Sequence, residues 1–204
     1  SFIGRGFLNT ASKIIVRMLS FEKIEISEEF FLKRIHLANE FRKHLGLYHN
    51  YRVVFSEADM LPGLIVDKYG DYLSVQFLSL GMDKNKQMIM NALVKIFSPK
   101  GIMERSDSPI RKKEGLEEYK GMIYNAPFNP KVVIEENGVQ LMVDLENGQK
   151  TGYFLDQKFN RAVLKYYVKD QIVLDCFSHT GSFAMHALKY GATKSVAVDI
   201  SPKA

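Results

Sequence analysis

Apolar residues change their period several times along the chain, and each change marks an element. Phe31, Ile35, Ala38, Phe41 and Leu45 recur at helical spacing behind Ser27, an N-cap residue followed by Glu28 and Glu29. Those two acids suit the positive end of a helix dipole, and Gly46 can take the left-handed position past the last turn. The spacing predicts a helix over 28–45 with that apolar row buried. Residues 51–56, 64–69 and 72–78 read as strands, parted by Pro62-Gly63 and Gly70-Asp71, which are turn chemistry. Met88, Ala92, Leu93 and Ile96 predict an amphipathic helix over 83–97, and 101–105 returns as a strand. Residues 106–130 carry charge, Pro and Gly without a period and read as irregular. Residues 132–135 and 139–143 flank Asn137-Gly138, a strong hairpin signal. Residues 1–20 set Arg5, Lys13 and Arg17 among Ile14, Ile15, Val16, Met18 and Leu19, and read as a strand that belonged with something upstream.

After residue 145 the pattern changes. A helix is predicted over 156–168. Residues 172–176 and 195–200 are apolar runs of the kind found in parallel strands buried on both faces. Between them a helix over 181–190 ends at Gly191, and Ser201-Pro202 looks like the N-cap and first residue of another. The fold class read from this order is α/β: an α+β layer followed by the first part of a Rossmann-like sheet. Internal repeats and low-complexity tracts are absent.

The chain has 204 residues, 46% of them apolar, enough for one large or two small domains with a core. Its formal charge of +5 permits a polyanionic partner without requiring one. Cys176 is the single cysteine, which excludes an internal disulfide and a cysteine-based zinc site and fits a reducing, cytoplasmic setting. No apolar run reaches membrane-spanning length, and no signal peptide opens the chain. Ser1 opens an already basic stretch and reads as a cut rather than a natural start.

The chemistry lies in the strand–loop–helix–strand over 172–200. A parallel βαβ unit puts the loop after its first strand at the carboxyl edge of the sheet, beside the free N–H groups of the helix N-terminus. That loop is Phe177-Ser178-His179-Thr180-Gly181, and Gly181 lets a ligand approach the backbone. Asp199 closes the second strand 24 residues after Asp175, where an acid can accept hydrogen bonds from the ribose hydroxyls of an adenosine cofactor. A dinucleotide asks for three glycines in this turn, and only one is present. S-adenosylmethionine (SAM) has no phosphate to seat, and its cationic end favours a carboxylate such as Asp175. The residues favour SAM over NAD. A unit that binds nothing, with Asp199 capping the next helix, stays open. The segment Gly148–Arg161 adds glycines, amides, bases and aromatics just before this strand. It can serve a ligand, or simply lead into a helix with Asp156 as N-cap.

Gln149-Lys150-Thr151-Gly152-Tyr153-Phe154-Leu155-Asp156-Gln157 and Val173-Leu174-Asp175-Cys176-Phe177-Ser178-His179-Thr180-Gly181 together closely resemble the large-subunit (23S) ribosomal RNA cytosine-C5 methyltransferases. Asp59–Asp67 and Glu104–Asp107 resemble that family's central domain, and Gly4–Leu19 the end of its PUA domain. The resemblance implies a PUA β-barrel remnant over 1–20, a central α+β domain over 21–130, and over 131–204 a hairpin with the start of a Rossmann-like class I SAM domain. It assigns the SAM pocket to Lys150, Thr151, Phe154, Gln157, Arg161, Asp175, Phe177, Ser178, Thr180, Gly181 and Asp199. His179 stands where such loops often carry Tyr. It also places the catalytic cysteine and the base-binding motif in later strands, beyond this chain. Cytosine C5 becomes nucleophilic when a thiolate adds to C6. Cys176 reads instead as a packing residue beside the cofactor.

The expected protein is therefore the front part of a SAM-dependent rRNA methyltransferase, itself inactive and exposing an apolar sheet edge. Ribosomal RNA is the expected partner, with a homodimer open. Arg5, Lys13, Arg17, Arg111, Lys112 and Lys113 are the candidate phosphate contacts, with Lys33-Arg34 and Arg42-Lys43-His44 as further basic clusters. Each is also compatible with a solvated face. Two other readings stand beside it: an RNA-binding module with a non-catalytic Rossmann-like part, and an NAD-linked oxidoreductase, which the glycine pattern disfavours.

Overall fold

A computed structural model describes residues 1–201, so Pro202 and the helix expected to begin there lie outside the described residues. Packing divides the chain into two compact units. The first holds Ser1–Val132 and Asp144–Tyr153; the second holds Val133–Val143 and the residues from Phe154 onward.

The first unit is built on a five-stranded sheet. Strands β3 (Asn50–Phe55), β4 (Leu64–Tyr69) and β5 (Tyr72–Phe77) form an antiparallel meander. Helices α2 (Leu80–Lys84) and α3 (Lys86–Phe97) then carry the chain to β6 (Gly101–Ser106), parallel to β5, and β7 (Tyr119–Tyr124) closes the edge antiparallel to β6. Helix α1 (Glu28–His44) packs beside α3. The Ser27 hydroxyl accepts from the Phe30 N–H, as an N-cap should. Phe31, Ile35, Leu64, Val66, Val75, Leu93 and Ile102 form a fully buried core between helices and sheet. The opposite sheet face mixes polar and apolar residues. Arg52, Asp67, Ser74 and Met103 are cross-strand partners in one row, so they share that face. Segment 144–153 crosses it: Arg105 Nη1 donates to the Leu145 carbonyl at 3.0 Å, and the Thr151 hydroxyl donates to Asp67.

Several sequence expectations change here. The buried row of α1 does not reach Phe41 or Leu45, which are exposed; it continues through Asn39, which takes the Tyr51 hydroxyl, and Arg42, which pairs with Asp59. The helix expected over 83–97 is two helices, because Asn85 leaves helical geometry and its Nδ2 donates to the Gly81 carbonyl. Residues 106–130 are not all irregular: a 3₁₀ turn, Pro109–Glu114, leads into β7, which Lys120 and Gly121 disguised. Residues 1–20 are not a lone strand either. Strands β1 (Arg5–Leu8) and β2 (Val16–Ser20) pair antiparallel, and Leu19 enters the core. Buried Asn9 and Ser12, in the turn between them, both donate to the Glu114 carboxylate.

The second unit begins with the hairpin of β8 (Lys131–Glu136) and β9 (Val139–Asp144), whose central part it contains. Asn137 and Gly138 have φ of 51° and 77°, the two left-handed positions of a type I′ turn. The helix expected over 156–168 is broken into a 3₁₀ turn (Leu155–Gln157), α4 (Lys158–Val163) and a second 3₁₀ turn (Leu164–Tyr166). Strands β10 (Ile172–Cys176) and β11 (Lys194–Val198) pair in parallel through α5 (Ser182–Lys189). Both strands are of the apolar kind found buried on two faces, and this chain was expected to leave an apolar sheet edge exposed. Among the described residues they pair only with each other, and α5 packs against them. Ile172, Leu174 and Val198 are exposed, Ile172 by 74%.

Candidate functional site

Asp175, Phe177–Gly181 and Asp199 come together at the carboxyl edge of β10 and β11. Only five residues lead from strand to helix. Phe177, His179 and Gly181 make the bend with positive φ of 59°, 50° and 69°. Two of these are not glycine, and such backbone clusters at ligand sites because it costs energy to hold. Hydrogen bonds over-determine it. Ser178 N–H donates to the Val198 carbonyl at 3.1 Å, and His179 N–H to Asp199 Oδ2 at 2.8 Å. Asp199 Oδ1 accepts from Ser201 N–H at 2.8 Å, and Asp175 Oδ2 accepts from Ala184 N–H, in the first turn of α5, at 3.0 Å. The Phe154 ring meets His179 edge-on, with centroids 5.4 Å apart.

The electrostatics differ between the two acids. Ser201 N–H, then His179 N–H, hold the Asp199 carboxyl below its ordinary value. Burial, together with the Asp199 charge, pushes Asp175 up, against the pull of Ala184 N–H. Burial pushes the His179 imidazole down although Asp199 opposes it, so His179 is neutral at pH 7. The edge therefore offers two carboxylates and a neutral ring, with room beside them: nothing lies within 4 Å of where a Gly181 Cβ would sit. Thr180 Oγ1 is buried and without a hydrogen-bond partner among the described residues.

The other expected pocket residues divide. Gln157 is half-buried on its 3₁₀ turn, where its side chain accepts from Asn160. Phe177 is 89% exposed and Ser178 buried. Arg161 is engaged within the fold. It is 1% exposed and grips Glu136 with Nε and Nη2, while Nη2 also donates to the Phe154 carbonyl at 2.8 Å. It positions the backbone that carries Phe154. Lys150 and Thr151 belong to the first unit. Thr151 is fully buried and engaged with Asp67 and Tyr69, so its hydroxyl serves the fold. Cys176 is exposed rather than packed, on the face of β10 opposite to Asp175.

Two candidate phosphate contacts are engaged within the fold. Arg111 is buried and donates to the Phe77 and Glu117 carbonyls and to Asp83. Arg17 spans Glu57 and Glu114. Arg5, Lys13 and Lys113 are exposed, and Lys112 is exposed while paired with Glu118. Sequence reading missed Glu136 and His186, both fully buried in the second unit; their signal was weak, since Glu136 follows Glu135 beside a turn and His186 looks like any helical polar residue. Among the described residues no His, Cys, Asp and Glu cluster is placed to hold a metal ion, and no helix is long and apolar enough to cross a membrane.

Residues 123–203 match the family model of S-adenosylmethionine-dependent methyltransferases. The matched segment contains the whole βαβ edge. Curated relatives cover all of this chain. A "Ribosomal RNA large subunit methyltransferase I" of Vibrio campbellii is 42% identical and one of Aeromonas salmonicida 43%, and in each the chain covers 52% of the relative. The chain thus spans about half the length of the curated relatives it matches. Among solved structures, a methyltransferase-like protein complexed with SAH superposes with a TM-score of 0.83 at 25% identity, over 98% of this chain and 52% of that one.

Proposed function

We propose that this chain is part of a SAM-dependent methyltransferase acting on large-subunit ribosomal RNA, at C5 of a cytosine. The observation that carries the reading is the pair Asp175 and Asp199 on either side of an over-bent loop with open space at Gly181. The relatives' names supply the nucleic-acid substrate. The residues fit the cofactor. The unpartnered Thr180 hydroxyl and the space beside Gly181 are what a bound nucleoside would use, and two carboxylates suit a cationic sulfonium and ammonium. SAM supplies an electrophilic methyl group. Asp199, held ionised by two backbone donors, is an acceptor for ribose hydroxyls. Asp175 is the acceptor for the cationic end, and Phe154, fixed through Arg161, is an apolar wall. Gln157 stays within this proposal as an amide partner.

Residues 1–20 are read as the end of a PUA barrel, 21–130 as the central domain, and 131–204 as the start of the cofactor domain. The thiolate for C6 is not Cys176, whose side faces away from Asp175. Without another thiol, these 204 residues alone are proposed to bind SAM weakly and to turn over nothing. A cytoplasmic protein follows from an rRNA substrate, and a second copy of the chain remains an open partner.

Calorimetry with SAM and NAD tests the cofactor. SAM heat without NAD heat supports the reading; NAD binding in preference sinks it. Affinity for SAM should fall as pH drops into the acid range, because Asp175 gains its proton above the ordinary carboxylate value. A SAM affinity flat across that range removes Asp175 from the site. Tight SAM binding by a full-length protein that methylates no RNA favours the binding-module reading instead.

A further inference from the structure

Helix α4 and the 3₁₀ turn after it have their polarity reversed. Arg161 is buried, while Phe159 (62% exposed), Val163 (45%), Tyr166 and Tyr167 (73% each) face solvent. Phe159 and Val163 share one side of α4, Tyr166 and Tyr167 follow at the end of the 3₁₀ turn, and α5 packs against the element. An exposed row of this kind asks for a partner. Charge narrows the choice. Lys158, Lys165 and Lys169 lie along the same stretch, and no acid occurs between Lys158 and Lys169, the nearest being Asp156 and Asp170 at its ends. Lys165 Nζ stands 4.9 Å from the centroid of the Tyr166 ring. The exposed face of β10 and β11 carries one lysine, Lys194, beside Ile172, Leu174, Val196 and Val198, and no aromatic ring, so it lacks the stacking faces that follow α4.

We propose that Phe159, Tyr166 and Tyr167, with Lys158, Lys165 and Lys169, form a stacking platform for single-stranded RNA. The inference deepens the methyltransferase reading and rests on it. Aromatic faces accept unpaired bases of any sequence, and lysines beside them hold the sugar–phosphate strand. Such a platform, in the unit that carries the cofactor edge, would hold an unstacked stretch of substrate.

The test is fluorescence anisotropy on the full chain, with a short unstructured RNA and an abasic strand of the same length. Tyr166→Leu and Tyr167→Leu keep apolar bulk and remove the π face. Each should weaken binding of the base-bearing strand by about tenfold and leave the abasic strand unchanged. Lys165→Ala should weaken both strands alike and lower the salt slope by about one. All three side chains are exposed, so melting temperatures should not move. Equal loss on both strands for the tyrosine variants, or no loss, overturns the platform. A drop in solution mass on substitution shows a self-interface and also overturns it. SAM binding by the unsubstituted protein, read by calorimetry, separates the two readings. SAM binding with tyrosine-independent RNA binding removes the platform alone, whereas absence of both RNA and SAM binding removes both.

Discussion

The two units each bury a carboxylate against a guanidinium, and they use the pair differently. In the first, Asp67 is fully buried but Arg52 keeps a third of its side chain in solvent. That pair lies on one sheet face, and the opposite face holds an extended apolar core. In the second, Glu136 and Arg161 are both buried, at 0% and 1% exposure. His186 joins them: its Nδ1 meets the Ser182 carbonyl at 2.7 Å and its Nε2 the Glu136 carbonyl at 3.1 Å. The large apolar side chains of β10 and β11 meanwhile face outward. The first unit rests on apolar burial with a polar trim. The second rests on a polar clamp that ties hairpin, α4 and α5 together.

Breaking the clamp is the largest expected effect. Glu136→Gln keeps the shape and leaves the Arg161 charge buried without its counter-ion. Such removals cost about 3–5 kcal/mol. Hydrogen exchange of β8, β9 and α5 amides should accelerate accordingly, with β3–β6 amides unchanged. A loss under about 1 kcal/mol would mean that the second unit does not depend on the clamp.

Asp67→Asn comes next. Arg52 can turn to water, so the cost is that of the hydrogen bonds to Arg52 and the Thr151 hydroxyl, about 1–3 kcal/mol. Denaturant unfolding of the first unit reads it. A loss as large as that for Glu136→Gln would erase the distinction between the two pairs.

The same comparison explains what could be read from the sequence. Local signals gave most elements of both units, since caps, turns and periods act over a few residues: Ser27, Asn137-Gly138 and Gly191 stand where their chemistry predicts. The carboxyl edge with Asp175 and Asp199 was legible because a βαβ crossover fixes where strand ends meet. Arg161, Thr151 and Arg111 were not legible. A charged or hydroxyl side chain in a ligand-like motif looks the same whether it serves the ligand or the fold, and only the partners Glu136, Asp67 and Asp83 decide. The apolar residues of β10 and β11 are read in a related way: an apolar strand shows that it needs cover, never whether cover is present. Leu174→Lys makes that concrete. In a covered strand it would be severe, but here it should change stability by no more than about 0.5 kcal/mol. A large loss on denaturant titration would show that this face is covered in solution.

The smallest effect separates stability from function within the second unit. Asp175 has its carboxyl raised by burial, and Asp199 its own lowered by backbone donors. A raised acid contributes stability below its unfolded value near 3.8, and loses it as pH climbs through the folded value. At neutral pH the ionised Asp175 therefore opposes folding. Asp175→Asn keeps an oxygen to accept from Ala184 N–H and removes that opposition. It should melt slightly higher than the parent at pH 7, and the advantage should vanish as pH falls below the ordinary carboxylate range. SAM affinity should fall in the same variant. Asp199→Asn should show the reverse sign, melting lower at pH 7 because its charge is held by Ser201 and His179 N–H groups. If both variants shift in the same direction, the two acids share one environment, and the division of labour between ribose acceptor and cation acceptor fails with it.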